Sequence, residues 1–228
     1  MTLDEKGVIA NQALTRQDLQ ALAGSDQINL VGCDLEEADL SGLRFVCWSF
    51  ERCNLRRADL SGAVLEGSAW RSCRGAFVNF TGANLAEAVF SSGDYNNASF
   101  RRADLNATSF NGCKLTGADL SHSRAIDVRF DEVLLVNAKL PGFSFRKMTL
   151  RRLDFSQADL RKCDFRSTVF EDCSLREANM ADARFDGADL RGADLGGLRL
   201  MDARLFRGAT ISRDQAGRLL SELGLNVR

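Results

Sequence analysis

Proline is almost missing from this chain: Pro141 is the only one in 228 residues. A backbone that gives up so few amide donors suits a fold in which nearly every N–H enters a ladder. Histidine is as scarce. His122 stands alone, so a histidine-based metal centre or nucleophile relay has no partners to draw on. Seven cysteines include no CxxC pair, which argues against zinc. Glycine is scattered instead of gathered ahead of a helix, which removes a phosphate loop. No apolar run is long enough to cross a membrane, and no basic-then-apolar leader opens the chain. Charge is balanced as well: residues 28–207 hold 25 acidic and 25 basic side chains. Neither an enzyme nor a bound cofactor is expected, and a cytoplasmic location is.

What the sequence has is a period of five. From Leu30 to Leu205 there are 36 consecutive positions at multiples of five, and 34 hold a large side chain: 19 Leu, 12 Phe, Trp70, Tyr95 and Met180. Only Gly75 and Ala125 miss. Two residues before each centre sits a small or apolar residue, most often Ala, as in Ala58-Asp59-Leu60-Ser61-Gly62 and Ala188-Asp189-Leu190-Arg191-Gly192. Five is out of phase with a helix and with a plain strand. A short extended piece that points two residues inward, followed by a tight turn, does fit. With the centre called i, positions i−2 and i go inside, and i−1, i+1 and i+2 face solvent. Gly at i+2, as at Gly42, Gly62, Gly117 and Gly192, suits a turn with positive φ.

The cysteines give the size of the coil. Cys33, Cys53, Cys73, Cys113 and Cys173 all lie at i−2 and are separated by 20, 20, 40 and 60 residues. A coil of twenty residues and four sides puts them in one column of buried, reduced thiols, with Cys47 at i+2 the exposed exception. The 36 units then make nine coils, stacked over a length on the order of 43 Å at ~4.8 Å per coil.

This pattern resembles the pentapeptide-repeat family, whose motif is usually written A(D/N)LXX, from Ile28 to Arg207. The resemblance implies an all-β solenoid, a right-handed quadrilateral β-helix with a Leu/Phe core. Residues 1–27 form an N-terminal segment with a short helix capped by Thr15 and Asp18, residues 28–207 the β-helix, and residues 208–228 a C-terminal helix and tail. Ser212-Arg213-Asp214-Gln215 is a capping box, and Ala216, Leu219, Leu220 and Leu223 make an apolar stripe that Gly224 ends. This helix either plugs the last coil or, with Met201 and Phe206, buries against a second copy. The tail is similar to that of the Qnr-type branch, whose members dimerise through their C-terminal ends and protect DNA gyrase and topoisomerase IV from quinolones or other poisons. Those proteins are described as mimics of duplex DNA. The resemblance therefore implies a protein partner and a homodimer, with no membrane and no direct binding of nucleic acid.

Two other features bear on a site. Arg146, Lys147, Arg151, Arg152, Arg161, Lys162 and Arg166 gather in neighbouring coils as a basic belt, either a solvated surface or a contact for an acidic partner. Phe77, Ile126, Leu134 and Val136 are apolar at outward positions beside the two irregular units, and local bulges are expected to turn them inward. Asp at i−1 (Asp39, Asp59, Asp104, Asp119, Asp159, Asp164, Asp189, Asp194) is assigned to turns and backbone hydrogen bonds. No catalytic residue is named.

Overall fold

A computed structural model describes residues 7–22, 27–197, 204–222 and 224–226. It is a parallel β-solenoid of about nine turns with two helices. The chain divides into two compact units, Met1–Val133 and Leu134–Arg228.

The first unit shows how five residues make one side of a coil. Leu55 donates its N–H to the Arg74 carbonyl of the next coil at 2.7 Å, and Asn54 to the Cys33 carbonyl of the coil before at 2.9 Å. The Leu55 carbonyl then accepts from the Ala58 N–H at 3.0 Å, closing a four-residue turn whose third residue, Arg57, has φ 56°. That is a type II turn, and it recurs at Leu60–Ala63 and Leu65–Ser68. Side chains at i and i−2 are enclosed by four such sides, and the outward ones stand at the faces and corners. Among the described residues the left-handed corner is used by glycine and also by 25 residues with a side chain. Gly192 departs from expectation. It lacks positive φ, and a Cβ there would lie 2.3 Å from the Phe170 carbonyl oxygen, so close backbone approach explains it.

Strands β2 (Asn29–Val31), β3 (Ser49–Glu51), β4 (Ala69–Arg71), β5 (Val89–Ser91), β6 (Ser109–Asn111) and β7 (Arg129–Asp131) pair in parallel at a spacing of twenty, Leu30 on Phe50 on Trp70. The coil length derived from the cysteines is therefore the observed one. Ahead of them β1 (Val8–Ala10) pairs with β2 as Ile9 on Leu30, a spacing of twenty-one. Ile9, Leu14 and Leu19, themselves five apart, are all buried, and Leu19 sits on helix α1 (Arg16–Gln20). The repeat thus starts one coil earlier than Leu30, in a frame displaced by one residue. The expected capping box of α1 is present, with Thr15 and Asp18 bonded to each other's backbone N–H.

The second unit repeats the frame. Strand β8 (Thr149–Arg151) pairs with β9 (Val169–Glu171), and β10 (Cys173–Ser174) with β11 (Ala193–Asp194). Its far end is also displaced by one. Asp189 bridges to Thr210, and the ring stacked on Phe185 at 4.6 Å is Phe206, not Leu205. Helix α2 (Arg213–Glu222) follows.

Candidate interaction surfaces

The interior is fully committed to packing, so any site must lie on outward positions. Six cysteines are buried and free, and only Cys47 is exposed. The column thiols donate to carbonyls one coil away, Cys73 to Phe50 at 3.2 Å and Cys53 to Leu30 at 3.4 Å. Burial raises the thiols of Cys113 and Cys173 and pushes Cys163 up to about 12, which keeps them protonated and unreactive. Where the column reaches Gly93, the Tyr95 ring fills the space: a Cβ at Gly93 would lie 2.4 Å from it, and one at Gly75 2.6 Å. Gly75 is therefore the room made for a tyrosine one coil on. The Tyr95 hydroxyl is buried without a hydrogen-bond partner.

Outward carboxylates serve the backbone. Each of the eight Asp residues assigned to turns accepts the N–H of the residue two further on, at 2.9 to 3.2 Å. Among the described residues no His, Cys, Asp and Glu cluster could hold a metal, and His122 is exposed on a corner. The apolar outward residues are not turned inward. Phe77 is 53% exposed, Ile126 64% and Leu134 41%, with Val136 half-buried. The reason is that the irregular units keep the frame. Phe77 has the corner's φ of 62°, and Ile126 still accepts the Ala107 N–H at 2.8 Å, so both side chains stay outside.

At the C-terminal end, Ser212 and Gln215 form the expected capping box, at 2.7 and 3.1 Å. The Gln215 amide also donates to the carbonyls of Leu190 and Ala193, at 2.6 and 2.7 Å, tying the helix to the last coil. Gly224, with φ 78°, ends α2 in a Schellman motif: Leu225 bonds back to Leu220 at 3.0 Å and Gly224 to Ser221 at 2.9 Å. Yet none of the described side chains on α2 is buried. Ala216 and Leu219 are half-buried, and Ile211, Leu220 and Leu225 are exposed. A cleft of about 70 Å³, room for a few waters, lies between α2 and the last coil. Of the remaining residues of the stripe, Phe206 is not outward as expected: it caps the ring column while staying half-buried, because the frame has shifted by one. Met201 and Leu223 lie outside the described residues.

The basic residues divide into two kinds. Arg151 pairs with Glu171 at 2.8 Å, Arg161 with Asp159 at 2.7 Å and Arg166 with Asp164 at 2.5 Å. The guanidiniums hold Asp159 and Asp164 below the usual carboxylate range. Arg152 also has a partner. Arg146 and Lys147 are exposed and make no ion pair among the described residues, and Lys162 is exposed. Two further cations fall on the same side as Arg146, Lys147 and Arg166. Arg184 is one coil on from Asp164, and Arg207 follows Phe206, the ring over Phe185. Counting in twenties finds Arg184 in the sequence, but placing Arg207 requires the displaced frame.

A parallel solenoid of five-residue units, with its large side chains inside and its polar ones outside, defines a repeat protein that acts through its outward faces. Within that class the chain belongs to the pentapeptide-repeat family. The model for Pentapeptide repeats matches eight copies, over residues 26–57, 53–91, 83–121, 129–166 and 168–205. Among solved structures it is similar to full-length QnrB1, a plasmid-mediated fluoroquinolone resistance protein, at 22% identity and TM-score 0.71, over 96% of this chain and 100% of that one. HetL, involved in heterocyst differentiation regulation in the cyanobacterium Nostoc sp. strain PCC 7120, is matched at 22% identity and TM-score 0.38, over 82% and 86%. No protein of curated function matches. The likeness to QnrB1 is one of fold. No helix among the described residues is long and apolar enough to cross a membrane.

Proposed function

We propose that this chain is a non-enzymatic, cytoplasmic interaction protein that binds a type II topoisomerase, DNA gyrase or topoisomerase IV, and protects it from a poison. It acts as a homodimer joined at its C-terminal end. The observation that carries this reading is α2. The helix is firmly capped and tied to the last coil through Gln215, yet it leaves Ile211, Leu220 and Leu225 exposed together with half-buried Leu219 and Phe206. Apolar side chains left exposed at this end need a cover, and a second copy supplies a self-complementary one. A twofold assembly suits a partner that is itself a twofold dimer, and the fluoroquinolone resistance of QnrB1 belongs to a protein of the same fold. The buried free thiols fit a reducing compartment.

Purified protein titrated into a gyrase supercoiling reaction containing a fluoroquinolone should restore activity. No effect on inhibition or on cleavage at any concentration sinks the reading. Light scattering decides the dimer separately: the native chain should be dimeric at tens of micromolar, and Leu220→Asp monomeric.

A second reading, a scaffold for an unrelated protein, is favoured by charge. Leu134–Arg228 holds 17 basic and 13 acidic residues, a net of +4, unlike a stand-in for a polyanion. A pull-down that recovers some other protein and no topoisomerase subunit would favour it.

A further inference from the structure

Coils built from units that look alike face a problem of register. Shifting one coil against the next by five residues sets each centre over the centre of the neighbouring side, at a spacing of fifteen or twenty-five instead of twenty. Most of the core of the first unit accepts that change. Phe100, which stacks on Phe80 at 5.1 Å, would meet Leu85 at a spacing of fifteen, and Leu105 would meet Phe90 or Phe80, large on large as before. Small residues at i−2 still meet small ones, Ala98 over Ala83 or Cys73. The ladder is indifferent too, because each side donates from the same positions: Phe80 to the Ser99 carbonyl at 2.7 Å, Leu85 to the Asp104 carbonyl at 2.8 Å. One match is different. Gly75 is the only glycine among the 36 centres, Tyr95 is the only tyrosine of the chain, and they lie twenty apart. Both are buried, and the Tyr95 ring stands edge-on to Phe90 at 5.1 Å and 89°. It lies against Gly75, where a Cβ would be 2.6 Å from its Cδ1 and 2.8 Å from its Cε1.

We infer that Tyr95 and Gly75 form a register key, a knob and a hole that fit only when the coil of residues 90–109 sits on that of residues 70–89 at a spacing of twenty. Slipped to fifteen, Tyr95 comes over Phe80 and the hole at Gly75 lies under Phe90. Slipped to twenty-five, Tyr95 comes over Trp70 and the hole lies under Phe100. Either shift crowds one centre and leaves another unfilled, so overpacking and a cavity arise together. The native register is costly in itself. It needs a glycine at a core centre, a second at Gly93, where a Cβ would lie 2.4 Å from the ring, and a buried hydroxyl with no partner. A leucine at 95 over a leucine at 75, the common pattern of the chain, avoids all three. Stability is thus given up for discrimination against the slipped registers. Surface contacts between the two coils, such as the Thr81–Ser99 hydroxyl bond at 2.8 Å, discriminate less, because water competes for them. Register matters because a shift of five carries each later outward residue of the unit to the neighbouring side, and a partner reads sides. This inference rests on the packing of the first unit and stands apart from the topoisomerase reading.

The test reads register by cross-linking the full chain after refolding from urea, with Cys47 replaced by serine so that only an introduced pair of thiols is exposed. Thr81→Cys with Arg101→Cys reports a spacing of twenty, since Gly82 donates to the Arg101 carbonyl at 2.8 Å. Thr81→Cys with Asn96→Cys reports fifteen, and with Asn106→Cys twenty-five. A short bifunctional thiol reagent is added to the refolded protein, and linked peptides are measured by mass spectrometry. With Tyr95 and Gly75 in place the native pair should link at least about tenfold more than either slipped pair, because a short bridge does not span a whole side. Y95L/G75L restores the common pattern. It should keep its circular dichroism and bring at least one slipped pair to within about threefold of the native one. Tyr95→Phe keeps the ring and should hold the native ratio. If Y95L/G75L does not refold, Tyr95→Leu alone carries the comparison, with the same change in ratio expected. A native pair that stays about tenfold ahead in the leucine variant, slipped pairs that link as well in the unaltered core, or loss of register in Tyr95→Phe overturns the proposal. The supercoiling assay is untouched by any of these results, so the two readings fail independently.

Discussion

The two units, Met1–Val133 and Leu134–Arg228, use the same coil and fill it differently. In the first, an unbroken ring column follows the strands, Phe50 on Trp70 at 3.9 Å, then Phe90, Phe110 and Phe130. In the second, the column leaves the strands, where Leu150 and Phe170 pair, and runs through Phe145, Phe165, Phe185 and Phe206. Outside, the first unit carries 13 basic and 18 acidic residues, a net of −5, against +4 in the second. The near-zero charge of the chain is thus a cancellation between halves. The lesson concerns what a repeat leaves free. The frame decides which positions are inside, and it constrains there only that stacked side chains sum to a fillable volume. It constrains the outward positions hardly at all, so charge can be distributed for binding at little cost to the fold.

The largest expected effects test whether the two columns are equivalent. Trp70→Ala and Phe165→Ala should each destabilise by about 3–5 kcal/mol in urea unfolding, because a buried ring leaves a cavity. Trp70→Ala should be the worse, since the indole is the larger ring and its N–H donates to Ser68 at 2.9 Å. A loss below about 1 kcal/mol at either would mean that the column there is not a core.

Next in size is Tyr95→Phe, confined to the first unit. It removes a buried hydroxyl that has no partner, so stability should rise by about 1 kcal/mol, read as a higher melting temperature. A fall would show that the hydroxyl is satisfied in solution.

Acid should separate the units further. In the second, Arg161, Arg166 and Arg191 hold Asp159, Asp164 and Asp189 below the ordinary carboxylate range. Carboxylates depressed in the folded state add stability that is complete above their unfolded pKa, about 3.9, and is lost progressively as pH falls from there through their lowered folded values. The triple Asp→Asn variant should lose more stability at pH 6 than at pH 3, in parallel melting curves. An equal loss at both would mean that ionisation is not what the pairs contribute.

The smallest effect is on stability but is sharp in reactivity. Under native conditions a thiol reagent should label Cys47 quickly and the six buried cysteines only on unfolding. Rapid labelling of Cys113 or Cys173 would show that one unit opens locally.

Much of this was legible in the residues themselves. The five-residue period separates inside from outside, the cysteine spacing gives the twenty-residue coil, and Thr15, Asp18, Ser212 and Gln215 announce the caps, because each of these follows from local hydrogen bonding and a fixed repeat. The tertiary structure alone decided what depends on neighbours a coil away. Ile9, Leu14 and Leu19 join the stack in a frame one residue out of step, and Phe206 displaces Leu205 at the other end, because stacking selects whichever ring lies over the one below. Gly75 makes sense only beside Tyr95, and Phe77 stays exposed because its corner is held left-handed like the others. The basic side of the second unit is the clearest case. Arg146, Arg166 and Arg184 come from three successive coils, and winding the chain is what brings them to one side.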